Sequence, residues 1–283
     1  MTRLDNIVAL VTGASRGAGR GIALELGEAG AIVYVTGRSV SGGPTTDNVP
    51  GTIDECAREI TNRGGRGIAV RCDHTVDADV ESLFARIRSD HGRLDILVNN
   101  VWGGYENSEC RPLPLVPFWE QPLEQWDRMF TAGVRAHLVA SRLAVRRGLI
   151  VSTSANLEPL PYLRNVFYDL AKNAVARMTW AIAQELREHS IAALAVAPGF
   201  MRTERVVEAF RRAGALEFRN RPGGPNETTA YLGRAIVALA SDARVLEKSG
   251  QLVEVGTLAR EYGFTDVDGS QPPPFRIRAQ AST

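Results

Sequence analysis

Thr12-Gly13-Ala14-Ser15-Arg16-Gly17-Ala18-Gly19-Arg20-Gly21-Ile22-Ala23 is the stretch that decides how this chain folds. A short apolar run at residues 7–11 precedes it, and residues 20–29 carry apolar side chains at helical spacing. A strand that turns through glycines straight into a helix gathers backbone N–H groups and the positive end of the helix dipole, and glycine lets a phosphate approach that backbone closely. Glycine is also the default in any tight turn, so the cluster alone is weak. Its place between an opening strand and an amphipathic helix makes Gly13, Ser15, Arg16, Gly17, Ala18 and Gly19 candidates for holding a dinucleotide.

Outward from this turn, short apolar runs recur at residues 7–11, 32–35, 68–70, 94–98, 149–151, 193–197 and 251–255. Continuous runs of this kind suit strands covered on both faces. Helix-like stretches alternate with them at 20–29, 53–62, 80–90, 123–145, 168–188 and 228–240. The alternation predicts right-handed βαβ units in a parallel seven-stranded sheet with helices on both faces, an α/β fold in one doubly wound domain over 1–270. Segments 39–51, 102–122 and 200–227 break the rhythm and read as loops, the last two as substrate loops. The tail 271–283, with three consecutive prolines, reads as poorly ordered.

The 283 residues are 44% hydrophobic, enough for one large core. Thirty-three basic against 32 acidic residues leave a net charge of +1, so no global field recruits nucleic acid or an anionic membrane, and a small-molecule partner is expected. The three cysteines form no CxxC pair and read as reduced packing thiols of a cytoplasmic protein. The first apolar run is too short for a signal segment, no stretch has the length of a membrane span, and no Cys/His cluster has metal-ligand spacing.

The second strand closes on Thr36-Gly37-Arg38-Ser39, where an NAD-selective domain puts a carboxylate on the ribose hydroxyls. Gly37 offers none, whereas Arg38 and Arg16 supply two guanidinium groups suited to a 2′-phosphate, so NADP(H) is expected over NAD(H). The alternative is that both are solvated surface arginines. At the end of the third strand, Asp73 beside His74 can accept from an adenine amino group, or merely cap the next helix. Asn99-Asn100-Val101-Trp102-Gly103 closes the fourth strand with amides able to tie loops together and line the cofactor cleft.

Tyr168 and Lys172 stand four apart on a helical stretch, hence on one face. A cation beside a phenol lowers its pKa from near 10, which lets the pair exchange a proton with an alcohol or carbonyl. The spacing alone is common among solvated side chains.

In this order and spacing, the glycine turn, Asn99-Asn100, Tyr168/Lys172 and Pro198-Gly199 resemble the classical short-chain dehydrogenases/reductases, over about residues 4–256. More narrowly, Tyr34-Val35-Thr36-Gly37-Arg38, Gly133-Val134-Arg135-Ala136-His137, Leu258-Ala259-Arg260-Glu261-Tyr262-Gly263 and Asp266-Val267-Asp268-Gly269 resemble the branch of dehydrogenase/reductase SDR family member 1. The resemblance implies a Rossmann fold, Tyr168 as general acid or base, and Lys172 on the nicotinamide ribose. It also implies that Pro198, Gly199, Phe200 and Thr203 wall the nicotinamide.

Three departures stand out. The family's substrate-polarising serine lies thirteen residues before the tyrosine, which here is Ala155; Ser154 is the nearest hydroxyl, after Ser152 and Thr153. It serves only if the chain twists as its strand ends, since neighbouring strand side chains face opposite ways. Gly133 falls where the family has a mid-helix asparagine of a proton relay, though the narrower branch shares the glycine. The segment between His137 and Gly148 is also shorter than the family pattern.

The expected function is NADPH-dependent interconversion of a carbonyl and an alcohol on a small to medium apolar substrate. An NADP(H)-binding sensor or scaffold with impaired catalysis, and a non-redox lyase or epimerase on the same fold, are the alternatives. Trp102, Tyr105, Phe118 and Trp119 from one loop and Phe200, Met201 and Phe210 from another are expected to line the substrate pocket, unless they pack the loops themselves. The wide apolar surface over 168–188 predicts a homodimer or homotetramer.

Overall fold

The computed structural model describes residues 3–106, 116–144, 148–155, 162–212 and 226–275. The seven apolar runs become strands β1 (Val8–Val11), β2 (Ile32–Gly37), β3 (Arg66–Arg71), β4 (Ile96–Asn99), β5 (Leu149–Thr153), β6 (Ala192–Ala197) and β7 (Leu252–Glu254). They pair in parallel in the order β3-β2-β1-β4-β5-β6-β7. β1 therefore sits between β2 (Val8 opposite Ile32) and β4 (Ala9 opposite Ile96), and the winding reverses there. A crevice opens at such a switch point beyond the C-terminal strand ends, and it is where the site lies.

The connecting helices are α1 (Gly17–Glu28), α2 (Ile53–Asn62), α3 (Asp77–His91), α4 (Leu123–Phe130), α5 (Ala136–Ala144), α6 (Val166–Leu186), α7 (Glu204–Arg212), α8 (Thr229–Ser241) and α9 (Val255–Tyr262). Alternate strand residues feed two cores. Ala9, Val11, Val33, Val35 and Val98 pack with α1, α2, α8 and α9, while Val8, Leu10, Tyr34, Leu97 and Ile150 pack with α3, α5 and α6. Helix starts are set by local chemistry. Thr52 and Glu55 form a reciprocal capping box on α2, and the Asn165 side chain accepts from the Tyr168 N–H at 2.9 Å to start α6.

Three sequence expectations need correction. The single helix expected at 123–145 is α4 and α5 joined through a π-helical turn, Thr131–Arg135, and its last residue falls among 145–147, outside the described residues. The segment 200–227 holds α7, whose apolar residues lie among five arginines and glutamates that mask the periodicity. α9 is a further helix, beyond the six stretches that carry helical spacing in the sequence. Of the tail, residues 276–283 lie outside the described residues, and 271–275 are held in place: Gln271 donates to the carbonyls of Ala259 (2.8 Å) and Phe264 (3.0 Å), and the Tyr231 hydroxyl donates to Pro272 O at 3.0 Å. The prolines pack backbone-on-backbone against Gly256, where a side chain would collide at 2.4 Å. Among the described residues no helix is long and apolar enough to cross a membrane.

Candidate active site

The glycine turn is tied to the end of β4 by a small network. The Thr12 hydroxyl donates to Val98 O and accepts from the backbone N–H groups of Asn100 (2.9 Å) and Val101 (3.1 Å). The Asn100 side-chain amide donates to the carbonyls of Thr12 and Gly13 at 3.0 and 3.1 Å. Gly13 holds a φ of +65° with a Cβ position only 2.8 Å from Val101 Cα, so it must be glycine, and Gly17 holds +58°, a backbone conformation that glycine favours. At the start of α1 the Gly17 N–H already donates to an anion, the Glu204 carboxylate, at 2.8 Å.

A cleft of about 960 Å³ runs from this turn across the strand ends. Its walls include Gly13, Ser15, Arg16, Gly17, Ala18, Arg38, Asp73, His74, Val101, Ser154, Tyr168, Lys172, Pro198, Gly199, Phe200 and Thr203, which the sequence singled out at distant places. Two expected cofactor residues are not in the wall. Asn99 is the last residue of β4, and its amide points toward α5, donating to Ser141 Oγ at 2.9 Å; Asn100, one residue on, faces the cleft instead. Gly19 serves helix packing, since a Cβ there would lie 2.3 Å from Gly13 O.

The two arginines are engaged with the protein. Arg16 donates from Nη2 to Ser39 Oγ and Gly51 O, both at 2.8 Å, and so staples the 39–51 loop to the turn. Arg38 is ion-paired with Glu106, and its Nη1 lies 3.9 Å from Asp73. The Asp73 carboxylate accepts from the Thr75 N–H and hydroxyl. His74 is buried. The Thr36 hydroxyl gives its only proton to Val11 O, so His74 Nε2 donates to Thr36, and burial holds the ring neutral with a pKa pulled down to about 4.

On α6, Tyr168 and Lys172 share the inward face. Their titration differs from the simple expectation of a phenol acidified by its lysine. Burial pushes Tyr168 well above the usual phenol range, helped by the Tyr105 hydroxyl hydrogen-bonded to it, while Tyr105 itself is pushed up to about 12 by burial. Burial pulls Lys172 down to about 8. The ammonium lies over the indole of Trp102, 4.1 Å from the ring centroid. Ser154 follows the end of β5, on the α6 side, and its hydroxyl donates to the Lys172 main-chain carbonyl at 2.8 Å. Residues 156–161, the first part of the loop that follows, lie outside the described residues.

Gly133 sits inside the π-helical turn, and the space a side chain would need is filled by Trp102. His137, one turn on, donates from Nε2 to Val101 O at 3.0 Å, and burial holds it neutral with a pKa pulled to about 3. Trp102, Tyr105, Phe200, Met201 and Phe210 line the cleft, but Phe118 and Trp119 do not: they pack on each other and are 61% and 71% exposed.

The sequence reading missed three carboxylates: Glu204 on the Gly17 N–H, Glu106 on Arg38, and buried Glu227, which accepts the Gly199 N–H at 2.8 Å and is pushed by burial up to about 7. Each acts on a residue 28 to 187 positions away, so no local pattern announces it.

The short chain dehydrogenase family model matches residues 7–213. Dehydrogenase/reductase SDR family member 1 of Homo sapiens is 37% identical over 282 residues, covering 94% of this chain and 85% of that one. Among solved structures, a short chain dehydrogenase from Mycobacterium thermoresistibile superposes with a TM-score of 0.77 at 25% identity, covering 95% of this chain and 92% of that chain. A short-chain type dehydrogenase/reductase from Mycobacterium marinum gives 0.71 at 26%, with 89% and 94% covered.

Proposed function

Because the chain belongs to the short-chain dehydrogenase/reductase family, and is thus an oxidoreductase acting on CH–OH groups, we propose that it interconverts a carbonyl and an alcohol on small to medium apolar substrates, using NADP(H) in preference to NAD(H). The observation that carries this reading is the meeting of Tyr168, Lys172 and the Gly13–Gly17 turn in one cleft lined by Trp102, Tyr105, Phe200 and Met201. The turn fits a dinucleotide: Gly13 and Gly17 hold positive φ with no side chain to screen the backbone at the head of α1, and the Gly17 N–H already donates to a carboxylate oxygen.

Gly13, Ser15, Arg16, Gly17 and Ala18 would hold the diphosphate end, Arg38 and Arg16 the 2′-phosphate, and Asp73 with the His74 backbone the adenine. Pro198, Gly199, Phe200 and Thr203 would wall the nicotinamide, and Val101 its ribose. When bound, the dinucleotide supplies or accepts the hydride. Tyr168 is neutral at physiological pH, the state a general acid needs, and it gives its proton to the oxygen of the carbonyl being reduced. Lys172 binds the ribose and keeps positive charge beside the phenolate that Tyr168 leaves behind. Ser154 polarises the substrate oxygen once its hydroxyl turns from the Lys172 carbonyl. The chain acts as a single domain over 1–270 in the cytoplasm, consistent with the buried free thiols Cys56 and Cys72. It forms a homodimer or homotetramer through α5 and α6, where Leu138, Leu170 and Trp180 are exposed.

The test is NADPH consumption with phenanthrenequinone as a reactive carbonyl probe. Wild type should turn over and Tyr168→Phe should be about 10²–10⁴-fold slower. Tight NADPH binding with no Tyr168-dependent turnover would instead fit the cofactor-binding sensor and overturn the catalytic reading.

A further inference from the structure

We propose that Trp102 is a positioning residue for Lys172: its indole face, seated in a slot left by two glycines, holds the ammonium beside Tyr168. The proposal rests on the reading of Tyr168 and Lys172 given above. The slot is built for the ring. A Cβ on Gly133 would lie 2.4 Å from Trp102 Cε3 and Cζ3, and one on Gly104 would lie 2.7 Å from Cζ2. Tyr168 meets the indole edge-on, with centroids 5.8 Å apart and an interplanar angle of 84°. Lys172 Nζ stands 4.1 Å from the indole centroid and 5.8 Å from the Tyr168 ring.

Among the described residues no carboxylate pairs with Lys172 and no acceptor takes a hydrogen bond from its ammonium. The titratable groups facing it are Tyr168 on its own helix, Tyr105 through the Tyr168 hydroxyl, and His137 from α5, which burial keeps neutral. None supplies negative charge. For an ammonium that burial draws down to about 8, the negative face of the indole is thus the nearest stabilising group among the described residues. The indole N–H is buried without a partner among the described residues, so the ring face, and not the N–H, is what the slot uses.

Composition makes the test direct. The chain has two lysines, Lys172 and Lys248, and Lys248 is paired with Glu261 far from the cleft. Lysine labelled with carbon-13 at Cε thus gives two NMR signals, the second an internal control. In Trp102→Leu the Lys172 titration midpoint should fall by about half a unit to one and a half units, with Lys248 unmoved. Trp102→Phe, which keeps a ring face and drops the unpartnered donor, should restore most of the shift. Should Trp102→Leu fail to fold, biosynthetic replacement of tryptophan by its mono-, di- and trifluorinated forms keeps the shape while weakening the ring face. The Lys172 midpoint should then fall stepwise. A midpoint indifferent to fluorination, or unchanged in a folded Trp102→Leu protein, overturns the proposal. No turnover is needed for the measurement, so it stands or falls separately from the phenanthrenequinone assay.

Discussion

Arg38 shows what a single residue commits and what it leaves open. It lies just past β2, ion-paired with Glu106 and 39% exposed, so the pair is partly screened by solvent. Replacing Arg38 with Ala should weaken NADPH by about 1–3 kcal/mol, the scale of a charge-assisted hydrogen bond, and spare NADH. Equal losses measured by titration calorimetry for both cofactors would remove the 2′-phosphate assignment. Glu106→Gln frees the guanidinium, and since exposed ion pairs are worth about 0.2–1 kcal/mol, NADPH affinity should rise by up to about five-fold with NADH unchanged. Weaker NADPH binding in that variant would mean that Glu106 orients Arg38 for the phosphate and does not compete with it. Arg38 was legible because Gly37 and Arg38 are adjacent in sequence and strand ends are predictable. Glu106 was not, because its partner stands 68 residues away.

At the scale of elements, strand alternation explains both the successes and the errors. Ser154 reaches α6 because β5 ends at Thr153 with its even-numbered side chains on the α6 side, and Asn99 misses the cleft because its place on β4 turns it toward α5. The π-helical turn was invisible in the pattern, since 123–145 keeps apolar residues at three and four throughout and one extra residue in a turn barely disturbs that rhythm. Its consequence is sharp at Gly133. A methyl there collides with the indole at 2.4 Å, so Gly133→Ala should displace Trp102 and destabilise the fold by about 1–3 kcal/mol, the usual cost of overpacking, despite the better helix propensity of alanine. Denaturant unfolding measures this directly, and a gain in stability would show that the Trp102 slot is loose.

For the whole molecule, the repeated βαβ alternation and the glycine turn made the topology legible, because each unit announces itself locally. The closures between distant segments did not, and Glu227 is the clearest of them. It ends the 200–227 segment, is buried, accepts the Gly199 N–H at 2.8 Å, and sits near Asp266 and Glu254, whose charges add to the burial that lifts its pKa from 4.5 to about 7. A carboxyl raised in the folded state is favoured there in its protonated form. Stability is therefore intact below about 4.5, is lost as pH rises from there through about 7, and levels off above. At about 1.4 kcal/mol per unit the loss amounts to at most about 3 kcal/mol. Glu227→Gln keeps an acceptor for Gly199 and removes the ionisation, so its unfolding free energy should equal or trail the wild type near pH 5 and exceed it by up to that amount at pH 8. Denaturant melts across this range would show two diverging curves. Parallel curves would mean that Glu227 ionises in the folded protein as freely as in the unfolded chain, and that Gly199 is held by a carboxylate the fold tolerates without cost.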